Sequence, residues 1–368
     1  RAVARVDLGA VERNCRLLSE RVGRDTELCA VVKANGYGHG AAPCAAAAIR
    51  GGAGVLAVAA ASEAEELRLH FADARILVMG ALTEAELRAA LAARAEVAVW
   101  REGFRQLCSR IAAELREPAR VHLKLDSGMG RLGERDSARL IELAQASESD
   151  SNLTVSGVWT HFATADEEGD EFLAAQLAAF APVADAVREI SPRCAVHAAN
   201  SAATLRERAT HFDIVRCGIA IYGLDPFHRD PAEHGLEPAL ELHSYVADVK
   251  RFERGASAGY GRSWRAPMDT WVGVLPVGYG DGVRRGLTNN AEVLVGGRRY
   301  PLVGTVSMDN ITIDLGPETG VEAGAPAVLI GAQGGERITA EELAERLDTI
   351  NYEITCGISS RVPREMSG

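Results

Sequence analysis

Residues 28–34 read Leu28-Cys-Ala-Val-Val-Lys-Ala34, a short apolar run broken by a lysine. A continuous apolar run of this length suits a strand covered on both faces, as in parallel sheets, better than a half-exposed strand. Seven further runs have the same texture: VLAVAA (55–60), RILVMG (75–80), EVAVW (96–100), RVHLKLD (120–126), LTVSGVWT (153–160), CAVHAAN (194–200) and DIVRCG (213–218). Amphipathic stretches lie between most of them, among them SEAEELRLHF (62–71), TEAELRAALAA (83–93) and EFLAAQLAAFAPVADAVREI (171–190). Eight buried strands alternating with helices predict an α/β fold, a (β/α)8 barrel of the TIM type within residues 1–236. A doubly wound open sheet is the alternative arrangement of the same elements.

The texture changes after Tyr222-Gly-Leu-Asp-Pro226. Gly, Pro and His cluster as far as residue 236. Strand-like stretches then follow in LELHSYVADVK, TWVGVLPVGY, AEVLVGGRRYPLVGTV and NITIDL, and only TAEELAERL (339–347) has a helical period. A mainly β C-terminal domain is expected over 237–368. The opening residues AVARVDL, within 1–8, are candidates to pair with it rather than with the barrel.

At 368 residues the chain exceeds what one core usually holds, which also favours two domains. A net charge of −11 argues against nucleic acid, whose binding rests on clustered cations. No run of about 18 uncharged apolar residues suggests a membrane span. The start, RAVARVDLGAVERNC, lacks the architecture of a signal peptide. Seven cysteines, none in a CxxC pair, read as reduced thiols, so a cytoplasmic location is expected. The histidines His39, His161, His197 and His211 lack ligand spacing, and no metal site is expected.

In such a barrel the chemistry sits at the carboxyl ends of the strands. There the runs carry Lys33, Lys124 with Arg131 after it, His161, Asn200-Ser201, and Arg216 before Gly218-Ile219. Polar side chains inside apolar runs cost free energy unless paired or used, and these collect at one end. A desolvated lysine loses proton affinity and becomes a nucleophile toward carbonyls. Turn amides near Gly218 and Ile219 could hold a phosphate.

The stretch AVVKANGYGHG (30–40) resembles the cofactor-lysine signature of alanine racemases, in which the lysine is followed by Ala-Asn-Ala-Tyr-Gly-His-Gly. The resemblance runs along nearly the whole chain, through LKLDSGMGRLG (123–133), THFATAD (160–166), HAANSAA (197–203), DIVRCGIAIYG (213–223), AGYGRSW (258–264), VGYGDG (277–282), GTVSMDN (304–310) and NYEITC…RVPR (351–364). It implies pyridoxal 5'-phosphate joined covalently to Lys33, with alanine as substrate. Tyr37, Ser201, Gly218 and Ile219 would hold the phosphate, with Asn200 beside them. Arg216 would face the pyridine nitrogen, supported by His161. A guanidinium has no acceptor lone pair, so it keeps that nitrogen unprotonated and suppresses side reactions.

Racemisation needs proton transfer on both faces of a planar carbanion. The resemblance implies Lys33 for one face and Tyr260, from a second subunit, for the other, hence a homodimer with shared sites. Arg131 would bind the substrate carboxylate, and Lys124 occupies a place where a carbamylated lysine is common. Met308 and Asp309 would shape the pocket from the partner, with Tyr279 at its entrance. A supply of D-alanine for peptidoglycan is the role this implies. Three positions depart from the pattern: Gly36 for alanine, Ser307 for cysteine, and Ser360 for a tyrosine before Arg361-Val-Pro-Arg364. The missing ring at Ser360 suggests activity on serine as well.

Two other readings are weaker. GMGRLG (128–133) is a GxGxxG after a strand, but no acidic residue closes LTVSGVWT to bind a ribose, which speaks against a dinucleotide. An amino-acid decarboxylase would share the lysine barrel and β domain, but its cysteine-containing C-terminal signature and glycine-rich phosphate loop are not found here, and a non-catalytic cofactor carrier would resemble the barrel alone. Acidic helix faces such as SEAEEL read as solvated surface.

Overall fold

The computed structural model describes residues 1–368. Strand β1 (Val3–Asp7) precedes eight parallel strands: β2 (Glu27–Val31), β3 (Ala53–Val58), β4 (Arg75–Val78), β5 (Glu96–Val99), β6 (Ala119–Lys124), β7 (Leu153–Trp159), β8 (Ala195–His197) and β9 (Ile214–Cys217). They close into a barrel because β9 returns to pair with β2, with Glu27 opposite Ile214 and Ala30 opposite Cys217. The expected closed barrel followed by a mainly β domain is what the chain forms. Helices or turns follow the barrel strands and cover them, and the Val, Leu and Ile of the eight strands are buried.

Several strands stop short of the apolar runs that announce them. β2 ends at Val31, two residues before Lys33, and β8 ends at His197, three before Asn200. In each case the backbone leaves the sheet to serve a turn. Residues 34–37 become left-handed, and the Asn200 side chain caps the helix Ser201–Arg206 by accepting from the Ala203 amide at 3.0 Å.

The C-terminal part builds its main sheet around β10 (Leu240–Tyr245). Across that sheet run Arg298–Pro301, Glu292–Val295, Pro326–Gln333, β10, β1 and Arg364–Ser367. β1 lies antiparallel to β10 (Val6 opposite Leu240) and parallel to Arg364–Ser367 (Ala4 opposite Arg364), so the first and last strands are neighbours in this sheet. A second sheet joins Asp248–Phe252, Thr270–Leu275 and Ile311–Gly316. The helix Ala340–Arg346 coincides with the expected one. A further helix, Asn351–Cys356, has too few turns to display a period in sequence, and the central strand Pro326–Gln333 also went unread. No helix is long and apolar enough to cross a membrane.

Candidate active site

Lys33 opens a turn that is unusual for L-residues. Ala34, Asn35, Gly36 and Tyr37 all have φ between 52° and 62°. Each non-glycine residue there costs about 1–2 kcal/mol, so the surroundings must over-determine the conformation. They do. Glu63 Oε1 accepts from the Ala34 amide at 2.6 Å, and Asn35 Oδ1 accepts from the Ala41 amide at 3.0 Å. The buried His39 ring donates from Nδ1 to the Gly36 and Tyr37 carbonyls, both at 3.0 Å, and stacks on Tyr222 with centroids 4.4 Å apart. Glu63 belongs to SEAEEL, expected to be solvated surface. That reading is corrected, because its other oxygen accepts from the Ala59 and Ala60 amides and ties the ends of two barrel strands together.

The turn leads into a cavity of about 460 Å³ at the carboxyl ends of the strands. Lys33, Tyr37, Lys124, Arg131, His161, Asn200, Ser201, Arg216, Gly218 and Ile219 all line it. Two lysines and two arginines face this space, and no aspartate or glutamate does. Burial lowers the Lys33 pKa, and the guanidinium of Arg131 adds to the effect. Lys124, 3% exposed, is brought down to about 7 by burial and by the charges of Arg216 and Arg131. Its ammonium lies 4.1 Å from the centroid of the Trp159 ring and has no carboxylate partner there.

Arg216 is fully enclosed and held by acceptors alone. One terminal nitrogen donates to the Thr160 and Ala198 carbonyls at 2.9 and 3.0 Å and to His161 Nδ1 at 3.2 Å. The other donates to His197 Nδ1 at 3.1 Å. Burial lowers its pKa to about 10, which leaves it charged at neutral pH. His161 and His197 are both driven well below the ordinary imidazole range, first by burial and then by the charge of Arg216, so both are neutral.

At the other end of the cavity, Ser201 Oγ accepts from the amides of Gly218 (3.0 Å) and Ala220 (3.3 Å), leaving its own proton to donate. A Cβ at Gly218 would overlap the Tyr37 hydroxyl, so only glycine leaves room for that phenol beside the amides. Donors surround a space that a side chain would fill. Such a set fits an anion the size of a phosphate.

Some residues joined the site without being singled out in sequence. Trp159 lies under Lys124 and Arg216, its ring 4.8 Å from the guanidinium carbon. Tyr352 and Cys356 reach the cavity from the helix Asn351–Cys356, and the Tyr352 ring lies 5.9 Å from that of Tyr37. The residues attributed to a partner subunit lie elsewhere. Tyr260 is 73% exposed, Met308 51% and Tyr279 43%. Asp309 is engaged by Arg361 at 2.7 Å, and that hydrogen bond lowers its pKa. Ser360 is exposed in a turn and does not line the cavity. The glycine loop 128–133 spends the amides of Gly128 and Gly130 on Asp126 Oδ1, at 3.1 and 2.9 Å.

Comparison with known proteins agrees over the whole chain. The family model described as the alanine racemase N-terminal domain matches residues 6–226, and the alanine racemase C-terminal domain matches 239–366. An alanine racemase of Symbiobacterium thermophilum is 43% identical, covering 99% of this chain and 97% of its own. The alanine racemase 1 of Bacillus subtilis is 39% identical over 98% of this chain and 92% of its own. Among solved structures, an alanine racemase from a D-cycloserine-producing Streptomyces lavendulae superposes with a TM-score of 0.95 at 37% identity, covering 100% of this chain and 97% of that one. With barrel, β domain and lysine-bearing cavity in one arrangement, the chain belongs to the alanine racemase family, a family of isomerases.

Proposed function

We propose that this protein interconverts L-alanine and D-alanine with pyridoxal 5'-phosphate held on Lys33. The observation that carries the reading is a cavity lined by two lysines and two arginines with no carboxylate, which calls for an anionic occupant. A phosphorylated aldehyde together with an amino-acid carboxylate supplies that charge. When bound, the cofactor offers an electrophilic carbonyl and a conjugated ring that stabilises negative charge at the substrate α-carbon.

The chain's own residues do the rest. Burial raises the share of Lys33 present as free amine, which suits it to form the covalent link and then to move a proton on one face. Arg216 donates to the pyridine nitrogen and cannot accept from it. His161, neutral and accepting from Arg216, keeps that guanidinium in place. Ser201, Tyr37 and the amides of Gly218 and Ile219 hold the phosphate, with Asn200 fixing the helix behind them. Arg131 orients the substrate carboxylate. Lys124, its pKa near 7, offers neutral amine to carbon dioxide, and the resulting carbamate would turn a repulsive neighbour of Arg131 into an attractive one. A gain of one carbon dioxide in the intact mass, reversed in degassed buffer, tests this.

The second face belongs to Tyr260 of another copy. Its exposure, with that of Tyr279 and Met308 on the same domain, fits a homodimer whose sites are shared. The enzyme would act in the cytoplasm and supply D-alanine for peptidoglycan; rescue of a D-alanine auxotroph tests that role. Ser360 itself lies outside the cavity; what it lacks is the tyrosine ring of the family pattern, and that loss widens the choice of substrate toward serine. A ratio of kcat/KM for alanine over serine that Ser360→Tyr leaves unchanged would discard the last point.

Borohydride reduction of the holoenzyme followed by peptide mapping tests the core of the reading. The tag is expected on Lys33, and a tag elsewhere sinks it. Exchange of the α-hydrogen of both alanine enantiomers in heavy water separates a racemase from a cofactor carrier, which exchanges neither.

A further inference from the structure

Arg216 is a buried cation that touches no carboxylate: its partners are two carbonyls and two imidazole nitrogens. Leaving a buried charge uncompensated is costly. The carboxylate that its hydrogen-bond network reaches lies at the opposite end of the barrel. Behind Arg216, the His197 ring meets His122, with His197 Nε2 and His122 Nδ1 2.8 Å apart, and His122 Nε2 meets Glu96 Oε2 at 2.5 Å. His122 and His197 are each 1% exposed and Glu96 2%. Glu96 begins β5, at the amino-terminal mouth, where Arg75 donates to it at 3.2 Å and to Glu27 at 2.7 Å. Room for this line is built in: a Cβ at Gly157 on β7 would overlap the His122 ring.

The proton positions in this line follow from its ends. A guanidinium only donates, so His197 Nδ1 accepts, and a neutral His197 carries its proton on Nε2. That proton is donated to His122 Nδ1, which must then be a bare acceptor. His122 is therefore neutral too, with its proton on Nε2, and donates to Glu96. Every hydrogen bond points the same way, from cation to carboxylate. A cationic His122 paired with Glu96 would set two N–H groups against each other at the His122–His197 contact.

Resting on the reading of Arg216 given above, we propose that Glu96 is a positioning residue for the active site. Acting from the far end of the barrel through His122 and His197, it terminates a one-way hydrogen-bond chain that holds Arg216 as donor against the cofactor ring. The chain strengthens His197 as an acceptor, since each polarised hydrogen bond strengthens the next.

Two measurements on the holoenzyme decide this. In protein labelled with 15N-histidine, the side-chain nitrogen spectra should show His122 and His197 as neutral rings protonated at Nε2, whatever the activity. The second measurement is the kinetic split in three variants. Glu96→Ala should lower kcat for alanine about tenfold, the low end of what loss of an outer hydrogen-bond partner costs, with KM within about twofold. Glu96→Gln, which keeps an acceptor oxygen for His122, should recover most of that loss. Glu27→Gln breaks the neighbouring Arg75 pair at the same rim and should leave kcat unchanged. A cationic or Nδ1-protonated His122 in the native protein overturns the proposal, as does a Glu96→Ala enzyme with native kcat or one matched by Glu27→Gln. Should Glu96→Ala fail to fold, the native spectra and Glu96→Gln still decide: its kcat must stay near native while the His122 Nε2 proton moves upfield as its acceptor loses charge. An unmoved proton resonance counts against the chain. Borohydride tagging at Lys33 is independent of all of these, so failure of the cofactor reading and failure of the chain are told apart.

Discussion

Lys124 shows how one buried amine makes its own contribution to stability depend on pH. Unfolded, it holds its proton up to the usual 10.5; folded, only up to about 7. Between those values the unfolded state binds more protons at this group, so its contribution to stability becomes less unfavourable as pH rises, and below 7 the cost is borne in full. Lys124→Met, in buffer free of carbon dioxide, should therefore melt several degrees above the native protein at pH 7, with the gap closing as pH approaches 10.5. Thermal scans across that range check it. Glu63 is the converse case, an acidic residue whose charge is engaged by three backbone amides. Glu63→Ala would orphan them, at a cost of about 1–3 kcal/mol, and Glu63→Gln should fall between the two in urea unfolding. The N3 place of Glu63 in the helix Ala61–His70 accounts for the local Ala59 and Ala60 amides, four and three residues upstream, but nothing in SEAEEL shows the third, since Ala34 belongs to another strand end.

The element on which the chemistry stands is the left-handed turn 34–37. In sequence, Gly36 reads as a small exchange for alanine that adds backbone freedom. In the structure it occupies φ 62°, where glycine is at ease, and a Cβ there would meet the Ala41 backbone at 3.3 Å. Gly36→Ala should thus lower stability by about 1 kcal/mol and slacken the hold on Lys33, read as an earlier urea midpoint and weaker retention of the cofactor. The strands themselves were legible because a buried parallel strand needs an unbroken apolar run, and eight such runs survive in order. Their ends were not, because the backbone leaves the sheet where a side chain such as Asn200 or Glu63 offers its amides a partner. The helix Asn351–Cys356, which brings Tyr352 and Cys356 to the cavity, is six residues long and carries no period to read.

For the whole molecule, the cavity holds only barrel residues and one helix of the β domain, while Tyr260 stands exposed. A shared site makes a sharp expectation. Lys33→Ala and Tyr260→Ala, each inactive alone, should recover about a quarter of native activity when unfolded together and refolded as a mixture, because half the dimers then contain one intact site out of two. Activity that stays at zero in a mixture shown to contain heterodimers would place both residues in the same chain's site.

What the linear order of residues determined by itself is the succession of buried strands, the change to β texture after residue 236, and the lysine, arginines and serine at the strand ends. Those properties are local, since each strand must hide its own apolar surface and each turn must satisfy its own amides. Closure of the barrel decided the rest. It set Glu96, His122, His197 and Arg216 in one line although up to 75 positions separate neighbours in it, and it turned Glu63 toward the Lys33 turn. Partners so distant in sequence are chosen by the geometry of the closed sheet, which no window along the chain contains.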